Sequence, residues 1–202
     1  MTTRTDPEAH KRMSERRNEA HEKKKARATG TKGLLIVNTG TGKGKSSAAF
    51  GMGLRAVAHG MRLGVVQFIK GALPTGEREL LSRFPEVRFE TLGDGFTWVT
   101  QDRERDVATA ERAWAVAKEM LRDPAYGMVI LDELNVILRY SYLSLDDVLK
   151  VLQERPPMQH AVVTGRHAPD ALIERADLVS EIKAIKHPFR EQGIRAQAGV
   201  EY

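Results

Sequence analysis

The sequence predicts an α/β fold in which a mostly parallel central sheet of about six strands lies between two helical layers, a three-layer sandwich. Short apolar runs without polar alternation are typical of parallel strands that are buried on both faces. Helix-like segments separate these runs, and such alternation requires right-handed crossovers and a parallel sheet. A glycine-rich stretch at 38–51 also joins the first run to a helix-like segment.

Each apolar run is predicted as one strand. The strands cover 33–38, 63–69, 87–92, 126–133, 160–165 and 178–185. Helices are predicted over 45–59, 103–122, 144–155 and 168–176, and the polar tail after 185 is predicted to be irregular. In parallel sheets, ligands bind beyond the carboxyl ends of the strands. We therefore expect the loops at Asn38, Lys70, Glu133 and Thr164 to meet at one edge.

The composition narrows the class of protein. The chain has 202 residues, of which 41% are hydrophobic and 29% charged, as is typical of a soluble globular protein. No apolar run approaches the roughly 20 residues that span a bilayer, so no membrane role is expected. The absence of cysteine excludes disulfides and thiolate ligands and suits a reducing cytoplasm. The six histidines show no metal-ligand spacing.

The net charge of +5 comes entirely from the first 32 residues of the chain. Residues 1–32 carry ten Lys and Arg against five Asp and Glu, whereas residues 33–202 carry 22 of each sign. We therefore predict a basic N-terminal extension over 1–32, either flexible or helical, and one folded domain over 33–202. A neutral folded domain weakens the case for nucleic-acid binding.

The stretch Thr39–Ser46 nearly matches the phosphate-loop pattern G-x-x-x-x-G-K-[ST], but Thr39 stands where that pattern has its first glycine. Backbone N–H groups in such a loop can surround an anion, and the following helix adds its positive end. Lys45 is expected to reach phosphate oxygens and Ser46 to bind magnesium. The predicted nucleotide-binding residues of the loop are Gly40, Thr41, Gly42, Lys43, Gly44, Lys45, Ser46 and Ser47. The motif places the chain among P-loop, RecA-like folds.

The run "VILDE" ends in Asp132 and Glu133, which resemble the acidic strand end that serves the metal in nucleotide enzymes. Carboxylates and hydroxyls are the hard oxygen ligands that Mg²⁺ prefers. These residues alone leave the chemistry open. A small kinase or hydrolase could use Glu133 as a base or to orient water, and a RecA-like nucleic-acid-binding module could use the basic extension.

Several motifs together resemble the ATP:corrinoid adenosyltransferases. They are "TGTGKGKSSAAFG", "VVQFIKG", "GERELL", "GFTW", "VILDELN", "YSYL", "TGRHAP" and "DLVSEIKAIKHPFREQGIRAQAGVEY". The resemblance covers about residues 33–202 in order. It implies that Thr39 is a family signature, and that ATP lies reversed along the loop. A Co(I) corrin would attack the 5′ carbon of ATP and release triphosphate.

The resemblance also implies roles for individual residues. Lys43, Lys45, Arg55 and a magnesium on Ser46 and Glu133 would neutralise the leaving triphosphate. Arg55 must fold back along its helix to reach phosphate, and the alternative is an ordinary surface arginine. Arg166, His167 and Lys70 could line the nucleotide pocket or stabilise their loops.

The corrinoid side of the site is implied by "GFTW". Phe96 and Trp98 would press against the flat ring and displace its lower axial ligand, whereas the residues alone would favour a role in the core. The extension over 1–32 would then be a lid. A reduced flavin or flavoprotein is implied as electron donor and a homodimer as the assembly, with neither nucleic acid nor membrane as partner.

Overall fold

The computed structural model describes residues 6–69, 75–93 and 102–201. Its sheet has six strands in the order β3-β2-β4-β5-β1-β6, and every described pairing is parallel. The strands are β1 Leu35–Thr39, β2 Arg62–Gln67, β3 Val87–Thr91, β4 Tyr126–Asp132, β5 His160–Thr164 and β6 Leu178–Glu181. The predicted parallel sheet of about six strands is confirmed.

Within the described residues the helices are α1 Pro7–Arg27, α2 Lys45–Ala58, α3 Gly76–Leu81, α4 Arg103–Arg122, α5 Leu134–Arg139, α6 Leu145–Glu154, α7 Asp170–Arg175 and α8 Pro188–Gln192. The helices α2 to α7 lie between the strands along the chain and contribute buried side chains to the cores on the two faces of the sheet. Ser144 caps α6, since its side chain accepts a hydrogen bond from the Asp147 N–H.

The alternating side chains of β4 show the three layers. Met128 and Ile130 pack into a core beside α2, whereas Val129 and Leu131 pack into a larger core that includes α4, α5 and α6. Close packing at α2 depends on Gly53, where an added Cβ would lie 3.0 Å from Leu63 Cδ2. This packing holds α2 against one face of the sheet.

The structure differs from the prediction at three places that bear on the site and the tail. The strand predicted over 178–185 ends at Glu181, because β1 ends opposite it at Thr39 and offers no further partner. The helix α5 begins directly after β4 through a left-handed Glu133, without a side-chain cap that sequence could reveal. The tail predicted to be irregular contains the short helix α8, whose first residue is Pro188.

Residue contacts divide the chain into two units, one up to Lys32 and one from Gly33 onward. The first unit contains α1, with Asp6 as its N-cap and Pro7 at its first position. Its side chains are mostly charged and exposed. In the part of the chain that the structure describes, no helix is long and apolar enough to cross a membrane.

Candidate functional site

The phosphate loop joins β1 to α2 and is shaped by glycines with positive φ. Gly40 has φ 98° and Gly44 has φ 107°, conformations that side-chain-bearing residues rarely adopt. Gly44 is the N-cap of α2, so the helix starts at Lys45. The Lys45 side chain is only 6% exposed, and its Nζ donates to the Gly42 carbonyl at 2.6 Å. The loop thus holds one lysine in a nearly buried position at a helix start.

The chain that leaves β6 supports the back of the loop. Gly42 N donates to Ile182 O at 2.7 Å, and an added Cβ at Gly40 would lie 2.4 Å from that same oxygen. Both glycines therefore permit a close approach of two backbones. Because the Gly42 N–H is engaged with Ile182, Gly42 contributes to the site mainly by holding the loop in place.

Thr39, the departure from the phosphate-loop pattern, connects two loops of the site. Its Oγ1 accepts a hydrogen bond from Ala168 N at 3.2 Å, and its side chain is largely buried. A glycine at this position would have no acceptor to offer. The Thr39 hydroxyl therefore holds the loop after β5 beside the end of β1. The local sequence pattern did not indicate this role.

The loop after β5 carries Arg166 and is held by further hydrogen bonds. Gly165, at φ 128°, donates from its N–H to Asn38 O at 3.2 Å and accepts at its carbonyl from Asn135 Nδ2 at 3.0 Å. His167 is also left-handed, at φ 56°. Strained residues of this kind persist only where the surroundings hold them. These contacts therefore hold the loop after β5 in one position at the carboxyl edge of the sheet.

The end of β4 brings two carboxylates to the same edge. Asp132 is fully buried and accepts from Gln67 Nε2 at 2.9 Å and from Thr164 Oγ1 at 2.7 Å. Glu133 is half-buried and left-handed at φ 65°, and its N–H donates to Thr164 Oγ1 at 2.9 Å. The sequence predicted the two acids and placed Thr164 at this edge, but it did not reveal Gln67 or the hydrogen bonds of Thr164.

Charges from three loops meet at Lys45. Burial lowers the pKa of the Lys45 ammonium, and the nearby Arg166 and Lys43 lower it further, whereas Glu133 and Asp132 oppose the shift. The phosphate loop, the end of β4 and the loop after β5 are therefore close enough to act on one side chain. Positive charge near a helix start can bind and stabilise a polyanion.

The remaining predicted residues lie at various distances from this centre. Lys43 is exposed and pairs with the Glu201 carboxylate. Ser46 is half-buried, and the exposed Ser47 lines a cavity of about 310 Å³ together with α3 and residues 199–201.

Arg55 is exposed in the last turn of α2, ten residues after Lys45 and thus roughly 15 Å further along the helix axis. The structure does not bring its backbone to the loop.

Three predicted residues cannot be placed. Lys70, Phe96 and Trp98 lie outside the described residues.

Of the predicted strand ends, Asn38, Glu133 and Thr164 do meet at one edge, as the bonds above show. Among the described residues, no group of three or more His, Cys, Asp or Glu side chains could hold a metal ion.

Comparison with known proteins identifies the family. The profile of the family "ATP:corrinoid adenosyltransferase BtuR/CobO/CobP" matches residues 31–202. A corrinoid adenosyltransferase of Pseudomonas aeruginosa is 54% identical over 194 residues, which are 96% of this chain and 95% of that protein. One from Sinorhizobium is 56% identical over 200 residues, 98% and 93% of the two chains. One from Escherichia coli K12 is 45% identical over 195 residues, 96% and 98% of the two chains.

These relatives match the chain over nearly its whole length, including the phosphate loop and the end of β4. Such coverage confirms the family that the sequence motifs indicated, and it disfavours the kinase, hydrolase and nucleic-acid-binding alternatives. The chain belongs to the ATP:corrinoid adenosyltransferase family.

Proposed function

We propose that this protein transfers the 5′-deoxyadenosyl group of ATP to the Co(I) centre of a corrinoid, in cobalamin biosynthesis or salvage. The family match over residues 31–202 carries the proposal, because it spans the phosphate loop and the Glu133 strand end together. The cobalt supplies an electron pair to the 5′ carbon, the carbon–oxygen bond breaks, and triphosphate leaves with the electrons of that bond. The cobalt is itself the nucleophile, so the protein must bind, orient and neutralise charge.

Lys45 is the residue best placed to neutralise the leaving triphosphate. Its ammonium is nearly buried at the start of α2, and burial lowers its pKa. An anionic partner favours the charged form, so triphosphate oxygens would hold Lys45 protonated. Lys43 and Arg166 add positive charge nearby. We give Arg55 a smaller role because its side chain must reach back along α2.

Ser46 and Glu133 fit a magnesium ion bound with the triphosphate. Ser46 offers a hydroxyl in the first turn of α2, and Glu133 offers a carboxylate close enough to act on Lys45. These are hard oxygen donors of the kind that Mg²⁺ takes alongside phosphates and water. When bound, the ion would neutralise triphosphate charge. Both carboxylate oxygens of Asp132 accept hydrogen bonds from side chains, so we assign Asp132 to the support of this site.

The corrinoid side of the proposal rests on the family resemblance. Phe96 and Trp98 would contact the corrin ring and exclude its lower axial ligand, which eases the reduction of Co(II) to Co(I). A reduced flavin or flavoprotein would supply the electron.

We further propose that the extension over 1–32 acts as a lid, that the protein is a homodimer, and that it works in the cytoplasm.

An anaerobic assay tests the reaction itself. Purified protein is mixed with ATP, Mg²⁺ and chemically reduced Co(I) corrinoid, and the visible spectrum and the phosphate products are followed. We expect a light-sensitive alkylcobalt spectrum and one triphosphate for each corrinoid converted. An unchanged corrin spectrum with accumulation of ADP would refute adenosyl transfer and indicate a phosphoryl-transfer enzyme.

A further inference from the structure

Four neighbouring strands end in polar residues that form one hydrogen-bonded row. The last residues of β3, β2, β4 and β5 are Thr91, Gln67, Asp132 and Thr164. The strand register places Gln67 opposite both Thr91 and Asp132. The row is almost closed to solvent, since Gln67 is 1% exposed and Asp132 and Thr164 are fully buried. Buried polar side chains in such a network fix one another's orientation.

The hydrogen bonds of the row run from both ends towards Asp132. Thr164 Oγ1 accepts from the Glu133 N–H, so its own proton is free to go to Asp132 Oδ1 at 2.7 Å. From the other side, Thr91 Oγ1 donates to Gln67 Oε1 at 3.2 Å, and Gln67 Nε2 donates to Asp132 Oδ2 at 2.9 Å. Both oxygens of Asp132 therefore accept a hydrogen bond from a side chain of the row.

The row ends on the backbone of Glu133, which adopts a strained conformation. A non-glycine residue at φ 65° is uncommon and needs support from its surroundings. The bond from the Glu133 N–H to Thr164 supplies part of that support. The Glu133 carboxylate lies close to Gly165, since a Cβ added there would lie 3.3 Å from its Oε2. Glu133 is thus held at its backbone, and its side chain lies beside the loop after β5.

We propose that Thr164 is a positioning residue that sets Glu133 for magnesium, with Asp132 and Gln67 fixing the direction of its hydroxyl. The inference rests on the proposed function, which makes Glu133 a ligand of the ion. Residues behind a metal ligand commonly set the affinity of the site. In this protein the support runs across four strands and reaches Glu133 through a main-chain N–H.

Replacement of the Thr164 hydroxyl tests the proposal. Thr164→Val keeps the shape but leaves the Glu133 N–H and Asp132 Oδ1 without this partner, whereas Thr164→Ser keeps the hydroxyl. ATP binding is measured by calorimetry at increasing MgCl₂ and again in EDTA. We expect Thr164→Val to weaken the apparent Mg²⁺ affinity about tenfold or more, with Mg-free ATP binding changed less than about twofold. Thr164→Ser should bind as the unaltered protein does.

A matched control separates positioning from stability. Thr109 is also buried, at 5% exposure, and lies in α4, so Thr109→Val removes a buried hydroxyl from another part of the domain. It should lower the melting temperature without changing the Mg²⁺ dependence. If Thr164→Val did the same, the role of Thr164 would be structural and the proposal wrong.

Two further measurements keep the test decisive. If Thr164→Val does not fold, Thr91→Val at the half-buried outer end of the row takes its place, with an expected loss of about threefold in Mg²⁺ affinity. No loss there would overturn the proposal. If the unaltered protein bound ATP equally well with and without Mg²⁺, the magnesium site of the proposed function would fail, independently of Thr164.

Discussion

At the amino edge of the sheet, polar side chains are engaged with the backbone, whereas at the carboxyl edge several of them converge on a shared charged centre. Gln159, just before β5, donates from Nε2 to the carbonyls of Met120, Asp123 and Tyr126. Arg155 likewise donates to three carbonyls, those of Gly33, Leu152 and Gln159. These bonds close the ends of helices and strands.

Five residues at the carboxyl edge have an unusual backbone conformation. Gly40, Gly44, Glu133, Gly165 and His167 all have positive φ there. Burial disfavours the charged form of Lys45, and Glu133 and Arg166 lie close enough to influence the pKa of its ammonium. Polar groups that close the backbone therefore lie at one edge of the sheet, and the residues of the proposed site lie at the other. Substitutions at the two edges should therefore separate activity from stability.

The largest effect is expected at Lys45. Lys45→Ala removes the buried cation that faces the proposed leaving group, and loss of such a group typically costs about 10²- to 10³-fold in rate. The melting temperature should stay equal or rise, because the charged side chain is buried beside Arg166. Turnover and thermal unfolding are measured on the same preparation. Lys150→Ala, with its side chain 70% exposed on α6, is the control and should change neither. Full activity of Lys45→Ala would remove the phosphate loop from the reaction.

The next effect is expected at the opposite edge. Gln159→Leu leaves three carbonyls without their donor in a buried place, so we expect the free energy of unfolding to fall by about 2–4 kcal/mol. Activity per folded molecule should be unchanged, because Gln159 is far from the charged centre in the fold. Urea denaturation and turnover at low temperature check this. Gln153→Leu, an exposed position on α6, is the matched control. A loss of turnover without a loss of stability would contradict the division between the edges.

A smaller effect is expected at Gly165, where a substitution should lower both the stability of the protein and its affinity for ATP. Gly165→Ala would place a Cβ 2.9 Å from Asn135 Cβ and 3.3 Å from Glu133 Oε2, at a φ that alanine rarely adopts. We expect a stability loss of about 1–3 kcal/mol together with weaker ATP binding, because the loop that holds Arg166 must shift. Gly60→Ala also has positive φ but meets nothing within 4 Å, so it should lower stability alone. Equal ATP affinities in the two variants would show that the loop does not need its fixed position.

The same difference between the two edges explains which parts of the fold and of the candidate site could be predicted from the sequence. The strands were found within a few residues, because a buried parallel strand is an apolar run that local sequence displays. Lys45, Ser46 and Glu133 could be predicted as site residues because each follows a strand within a short motif. The sequence placed Thr39 in the phosphate loop and Thr164 at the carboxyl edge, but it did not reveal their hydrogen bonds or the part played by Gln67, because these depend on partners elsewhere in the fold. Thr164 becomes meaningful only when β5 lies beside β4, and the sequence of either strand does not state that register.

The smallest effect is expected at Asp147, in the first turn of α6. Trp114 Nε1 donates to Asp147 Oδ2 at 2.7 Å, and this bond, aided by Lys118, holds the pKa of the carboxyl below its usual 3.8. A lowered pKa contributes stability that is present above pH 3.8 and is lost as pH falls through the folded-state value. Since the side chain is 46% exposed, Asp147→Asn should cost at most about 1 kcal/mol at pH 7. The difference from the unaltered protein should shrink in denaturant titrations below pH 3.8, where the carboxylate becomes protonated. A difference that stayed constant with pH would mean that shape, and not charge, decides the contact with Trp114.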